Sequence, residues 1–236
     1  MSHSPTQSNP SAKSNSNTNV NDQPLTLSSA SNRLAPFNPT SNAAQTLALQ
    51  LFNLQSDDVL FDLGCGDGRF LLLATEYALE SNPDSGLQCV GIECNPIFVS
   101  RAQEAISANG FTQSVDVRLG DVMESLQPPP HQQKFVLLEG RVKSLSLMDA
   151  TAVFVYLVPT GLKLVKSLLE SVAQTKHKQL QNNENESNKE RIRFRVVSYM
   201  FSIPGWKPTK TERTPRTDCP IYYYDFGDDI DLCTKL

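Results

Sequence analysis

In VLFDLGCGDGRF (59–70), Asp62 stands two residues before Gly64, and Gly66 and Gly68 follow at alternate positions. Glycines so placed let the backbone approach a ligand where a side chain would block it, and they open onto a helix start whose free N–H groups face outward. A dinucleotide fingerprint would need a third glycine where Arg69 stands, and its pyrophosphate gains nothing from a carboxylate at Asp62. An acidic strand end suits a ligand that carries positive charge. Glu93 closes the next apolar run; as an acceptor-only carboxylate it can take the protons of both hydroxyls of a ribose. Gly120-Asp121-Val122 closes the third run, where the Asp121 side chain and the Val122 amide can meet the edge of an adenine.

A cation, a ribose and an adenine presented to three consecutive strand ends describe S-adenosylmethionine, with Asp62, Gly64, Gly66, Gly68, Glu93, Asp121 and Val122 as its expected binding residues. On the acceptor side, Tyr156-Leu157-Val158-Pro159 ends the fourth apolar run. It is not the [DNS]-P-P-[YF] quartet that enzymes acting on planar amino or amide nitrogens carry, which argues against adenine, cytosine and glutamine acceptors. Tyr156 is the candidate catalytic residue, orienting an amine or taking its proton through water; packing in the core with a satisfied hydroxyl is the equal alternative. Phe201 and Trp206 either roof that pocket or pack on the sheet, with packing favoured. Five scattered cysteines with no C-x-x-C pair, and three histidines in polar or irregular stretches, predict no metal site and no histidine base.

These residues need elements to hold them. Apolar residues at helical spacing from Asn42 to Leu54, with Ser41 or Asn42 as N-cap, predict a leading helix. Val59 to Leu63 reads as a strand and Arg69 to Leu79 as a helix; Cys89 to Ile92 is a second strand, followed by a helix capped by Asn95, opened by Pro96 and closed at Asn109-Gly110. Val115, Val117 and Leu119 mark a third strand, Thr151 to Leu157 a fourth, Arg191 to Tyr199 a fifth and Ile221 to Phe226 a last one. Between the fourth and fifth, Leu162, Val165, Leu169 and Val172 share one helix face. Residues 123–148 read as a hairpin or an irregular helix around a triple-proline loop. The alternation predicts an α/β fold with a doubly wound, mainly parallel sheet and its ligand outside the carboxyl ends of the strands.

The 236 residues make one domain plus tails. Residues 1–35, rich in Ser, Asn, Thr, Pro and Gln, read as a disordered polar tail, 36–236 as the folded domain, and about 174–190 as a polar loop grown out of it. A net charge of -4 offers no general attraction to nucleic acid or anionic membranes, and no apolar run reaches membrane-spanning length. The expected setting is intracellular, cytoplasmic before mitochondrial.

Asp62-Leu63-Gly64-Cys65-Gly66-Asp67-Gly68-Arg69, Gly91-Ile92-Glu93-Cys94-Asn95-Pro96 and Gly120-Asp121 resemble the motifs of class I, seven-stranded S-adenosylmethionine-dependent methyltransferases of the Rossmann-like type. Pro36-Phe37-Asn38-Pro39-Thr40-Ser41, Phe154 to Pro159, and Val197-Ser198-Tyr199 through Ile203-Pro204-Gly205-Trp206 resemble, more narrowly, the family of mitochondrial lysine methyltransferases acting on ATP synthase c-subunit and adenine nucleotide translocase. That resemblance implies methyl transfer to a protein partner carrying a lysine. The sequence lacks the N-terminal hydrophobic segment of the animal members. A small-molecule methyltransferase and a non-catalytic S-adenosylmethionine-binding protein are the alternatives.

Overall fold

The computed structural model describes residues 40–124, 135–136, 142–143, 145–182 and 192–227. The tail expected over 1–35 lies outside the described residues. Ser41 caps helix α1 (Asn42–Phe52), its hydroxyl accepting from the Ala44 N–H at 3.3 Å, and Asn53 ends the helix in the left-handed conformation. Strands β1 (Val59–Leu63), β2 (Gln88–Glu93) and β3 (Val115–Leu119) alternate with helices α2 (Arg69–Ser81) and α3 (Pro96–Ala108). Asn95 caps α3 through the Ile97 N–H with Pro96 at its first turn, as the sequence predicts.

The uncertain stretch after β3 contains a hairpin: β4 (Phe135–Val136) pairs antiparallel with β5 (Val142–Lys143). Strand β6 (Ala152–Val155) then leads into α4 (Pro159–Gln181), followed by β7 (Arg195–Tyr199), β8 (Lys210–Arg213) and β9 (Pro220–Asp225). Two boundaries differ from expectation. α4 continues through 174–181, where a surface loop is expected, because Gln, Thr, Lys and His there propagate a helix already nucleated and Lys176 and Leu180 come back onto its buried face. β8 carries the sequence KTER on a mostly exposed edge and gives no apolar signal.

The main sheet runs β3-β2-β1-β6-β7-β9-β8, with β9 the single strand antiparallel to its neighbours. Alternate residues of each strand feed two apolar layers. Phe61, Leu63, Val90, Ile92, Val153, Val155 and Val196 pack with α4 residues Leu162, Val165, Leu169 and Val172. Leu60, Cys89, Ala152, Phe154 and Val197 pack on the other side with Ala48, Leu49, Phe70, Leu71, Ala74, Ala102 and Ile106 of α1, α2 and α3. Helices thus cover both faces, and the strand ends are left to carry polar work.

The two ends of the strands are chemically unlike. Where β1, β6 and β7 begin, the buried Asp58 accepts from Arg195 Nη2 and from Thr151 Oγ1, both at 2.6 Å, and from the Gln55 N–H at 2.6 Å. Arg195 Nη1 also donates to the Phe52 carbonyl, so one ion pair fastens the end of α1 under the sheet. At the other end, Asp62 and Glu93 have no such cation partner among the described residues.

Candidate functional site

Three glycines of the β1–α2 turn adopt positive φ: +88° at Gly64, +55° at Gly66 and +74° at Gly68. A Cβ at Gly64 would stand 3.3 Å from Leu157 Cδ2, and one at Gly68 would stand 3.0 Å from the Ala102 Cβ. The turn therefore needs glycine both for its conformation and for the closeness of β6 and α3. The Gly64 and Cys65 N–H groups both donate to the Ile92 carbonyl, at 2.9 and 3.1 Å, which fastens the turn to β2. Gly91, on β2, is equally constrained: a Cβ there would lie 2.5 Å from Cys65 Sγ and 2.8 Å from Leu71 Cδ1. A glycine inside an otherwise apolar strand is the sequence signal for such close approach.

Glu93 is buried at the end of β2; its Oε2 accepts from the Gly66 N–H at 3.0 Å and its Oε1 from the Asn95 N–H at 2.8 Å. Oε1 also accepts from the Cys94 thiol at 3.5 Å, and Oε2 keeps a further lone pair for a ligand. The carboxylate thus shapes the turn as well as facing what the turn would hold, a role its position in the sequence did not reveal.

Asp62 is 4% exposed. Burial pushes its carboxyl well above the ordinary carboxylate range, and the neighbouring charges of Glu93 and then Asp67 push it the same way. Arg69, the basic residue of the turn, is bound to Asp67 through two contacts of 2.9 and 2.5 Å, and that pair holds the Asp67 carboxyl below its usual value. Among the described residues no hydrogen-bond donor and no cation is paired with Asp62. The same environment, burial first and then Asp62 and Glu93, raises the Cys65 thiol.

At the third strand end, the Gly120 N–H donates to the Glu93 carbonyl at 3.0 Å, placing Asp121 and Val122 beside the second. Asp121 is exposed, and its Oδ1 accepts from the Met123 N–H at 2.9 Å, capping the short turn 122–124. Val122 is buried in the α4-side core. Around these ends stand three large apolar side chains that are well exposed, Ile97, Leu119 and Met123. The sequence reading passes over them, because exposure cannot be seen in a residue type.

The register aligns both halves of the site. Leu119 pairs with Glu93, Leu63 with Ile92 and with Val155, Val155 with Ser198, and Tyr199 with Ile221. Glu93 and Tyr199, the last residues of β2 and β7, consequently lie abreast of Gly64 and Tyr156, the first residues after β1 and β6. The Tyr156 hydroxyl donates to Met200 Sδ at 3.0 Å, and its ring meets that of Tyr199 edge to face, centroids 4.8 Å apart. Burial, and after it Cys219, raises the Tyr199 phenol, while a hydrogen bond from Ser41 lowers it. Met200 is a non-glycine residue at φ +67°, its N–H donating to the Pro220 carbonyl at 2.9 Å. The sequence marks Tyr199 only as a strand end and part of a motif, and it does not single out Met200. Trp206 packs against Tyr224 and Phe226 in the α4-side core and donates from Nε1 to Glu170 at 3.3 Å, so it takes the packing role and not that of a roof.

With this geometry in view, comparison with known proteins is informative. Residues 54–149 match a family model described as a methyltransferase domain. The chain is 25% identical over 195 residues to a protein-lysine N-methyltransferase of Saccharolobus islandicus (strain REY15A), an alignment covering 82% of this chain and 94% of that one. Among solved structures it resembles an RNA methyltransferase from Salinibacter ruber in complex with S-adenosyl-L-homocysteine, at TM-score 0.55 and 23% identity, covering 82% of this chain and 96% of the other. The fold is the seven-stranded, Rossmann-like methyltransferase fold.

Proposed function

We infer that this chain, which carries a methyltransferase domain over residues 54–149, binds S-adenosylmethionine at its glycine turn and transfers the methyl group to a lysine side chain of a protein. The observation that carries the cofactor assignment is Asp62: a buried carboxylate, flanked by Glu93 and Asp67 and paired with no cation among the described residues, is a place made for a positively charged ligand. The residues present fit this one. Asp62 would take the ammonium, the Glu93 carboxylate would take the ribose hydroxyls, and the backbone of Gly64, Gly66 and Gly68 would lie along the ligand. Asp121 and Val122 meet the adenine edge, with Ile97, Leu119 and Met123 available to cover its faces.

When bound, the cofactor supplies a methyl carbon attached to a sulfonium. The chain's own contribution is to place a neutral nitrogen behind that carbon and to exclude water. A free lysine has a pKa of about 10.4, so the acceptor must lose its proton before it reacts. The wall of Tyr156, Tyr199 and Met200 at the next strand ends is apolar enough to disfavour the ammonium form, and Tyr156 offers an oxygen to orient the amine. Tyr156, Tyr199 and Met200 would present that neutral nitrogen to the cofactor's methyl group, and the methylated ammonium would pass its proton to solvent.

Support for a lysine acceptor comes from the Saccharolobus relative, whose alignment spans the acceptor half as well as the cofactor half. Among the described residues Cys65, Cys89, Cys94 and Cys219 form no disulfide, which supports a reducing compartment, and we take the cytoplasm as the working location ahead of the mitochondrion. The test is to supply methyl-labelled S-adenosylmethionine and the purified chain to fractionated lysate from cells lacking the protein. A labelled protein whose label resides on methyl-lysine is the expected result. Label found only in RNA or in small metabolites would overturn the acceptor assignment and leave the cofactor assignment intact.

A further inference from the structure

We propose that Met200 is a positioning residue for the acceptor: its thioether holds the Tyr156 hydroxyl proton, so that the phenol oxygen meets the incoming amine as a hydrogen-bond acceptor. The proposal rests on the lysine reading given above, and it adds a residue that reading does not require. A neutral amine has one lone pair and N–H groups to donate. A tyrosine free to rotate its hydroxyl toward that nitrogen would donate into the lone pair, the one electron pair the reaction needs. With the proton aimed at Met200 Sδ, 3.0 Å away, the productive arrangement is the one left: the amine donates N–H to the Tyr156 oxygen and turns its lone pair toward the methyl carbon.

The backbone supports this reading. Met200 sits at φ +67°, a left-handed conformation that strains a non-glycine residue and persists where its surroundings enforce it. The surroundings here are the Met200 N–H bond to the Pro220 carbonyl at 2.9 Å and the preceding Tyr199, buried and paired in the sheet with Ile221. Straightening the chain at Met200 would carry the sulfur away from Tyr156. The Tyr156 ring is meanwhile fixed edge to face on Tyr199, at 4.8 Å between centroids, beside Gly64 in the row of strand ends.

Met200→Leu keeps the volume and the unbranched Cβ while removing the acceptor sulfur, and Met200→Gln returns an acceptor of similar reach. With the protein acceptor labelled by the wild-type chain as substrate, Met200→Leu is expected to lower kcat about 3–10-fold, the scale of one ordinary hydrogen bond. The Kd for S-adenosylmethionine should not change, and Met200→Gln should recover much of the lost rate. Combining Met200→Leu with Tyr156→Phe should cost no more than Tyr156→Phe alone, since sulfur and hydroxyl act through one contact. Full activity of Met200→Leu, equal losses for Leu and Gln, or additive losses in the double variant would each overturn the proposal. A wild-type chain that labels no protein would overturn the lysine reading, and the proposal with it.

Discussion

At Asp62 a charge is buried among charges of its own sign, and the cost falls on the ligand-free protein. The folded-state carboxyl titrates above the unfolded one, so its contribution favours the fold while it holds its proton and turns against the fold as pH rises through the folded value. At neutral pH, Asp62→Asn should therefore raise the melting temperature of the ligand-free chain by about 2–4 °C, the shift that ~1 kcal/mol gives at this size, while greatly weakening S-adenosylmethionine binding. A variant that melts lower would show that Asp62 has a stabilising partner after all. The acidic and glycine positions of this site were legible from residue type and spacing, because chemistry and backbone conformation restrict what can stand there. That Glu93 also holds the Gly66 and Asn95 N–H groups was not legible, nor was the left-handed Met200. Both depend on which strands lie side by side.

Gly91 shows how elements constrain one another. Its missing side chain lets Cys65 Sγ and Leu71 Cδ1 reach β2, pressing the glycine turn and α2 against the sheet. Gly91→Ala should destabilise by about 1–3 kcal/mol through overpacking, measured by urea unfolding. Cys65→Ala in the same chain should restore part of the loss, since it removes the nearest atom; no recovery would place the strain at Leu71 instead. Among the elements, those with apolar periodicity were readable: α1, α2, α3, the apolar part of α4, and the six strands β1, β2, β3, β6, β7 and β9. KTER, which makes β8, has no periodicity to read, since an edge strand exposed along most of its length needs no apolar face. The polar end of α4 was misread for the complementary reason: composition marked it as loop, yet a helix already under way needs only Lys176 and Leu180 to keep it on the core.

Across the whole molecule the sheet separates stability from chemistry, with Asp58, Thr151 and Arg195 at one end of the strands and Asp62, Glu93 and Tyr156 at the other. Asp58→Ala leaves the Arg195 guanidinium buried without its counter-charge and should cost about 3–5 kcal/mol of unfolding free energy. The Kd for S-adenosylmethionine of the molecules that remain folded should be unchanged; a large loss of affinity would mean that the two ends are coupled. A pH profile probes the working enzyme as a unit. With cofactor saturating and a lysine acceptor, turnover should rise from neutrality toward alkaline pH, because only the neutral amine attacks. A rate flat over that range would point to an acceptor already uncharged at neutral pH.

Asp62, paired with no donor and no cation among the described residues, also ties ligand traffic to protons. Burial, and after it Glu93 and Asp67, pushes this carboxyl toward its protonated form, and a cation arriving beside it favours release of the proton into the buffer. The heat of S-adenosylmethionine binding should then vary with the ionisation enthalpy of the buffer, and the slope should vanish in Asp62→Asn. After transfer the sulfur is neutral and one of the ligand's positive charges is gone, so a cluster of acids that welcomes the substrate has less hold on the product. The repulsion stored in the ligand-free pocket thereby gives the cycle a direction, favouring exchange of spent cofactor for fresh.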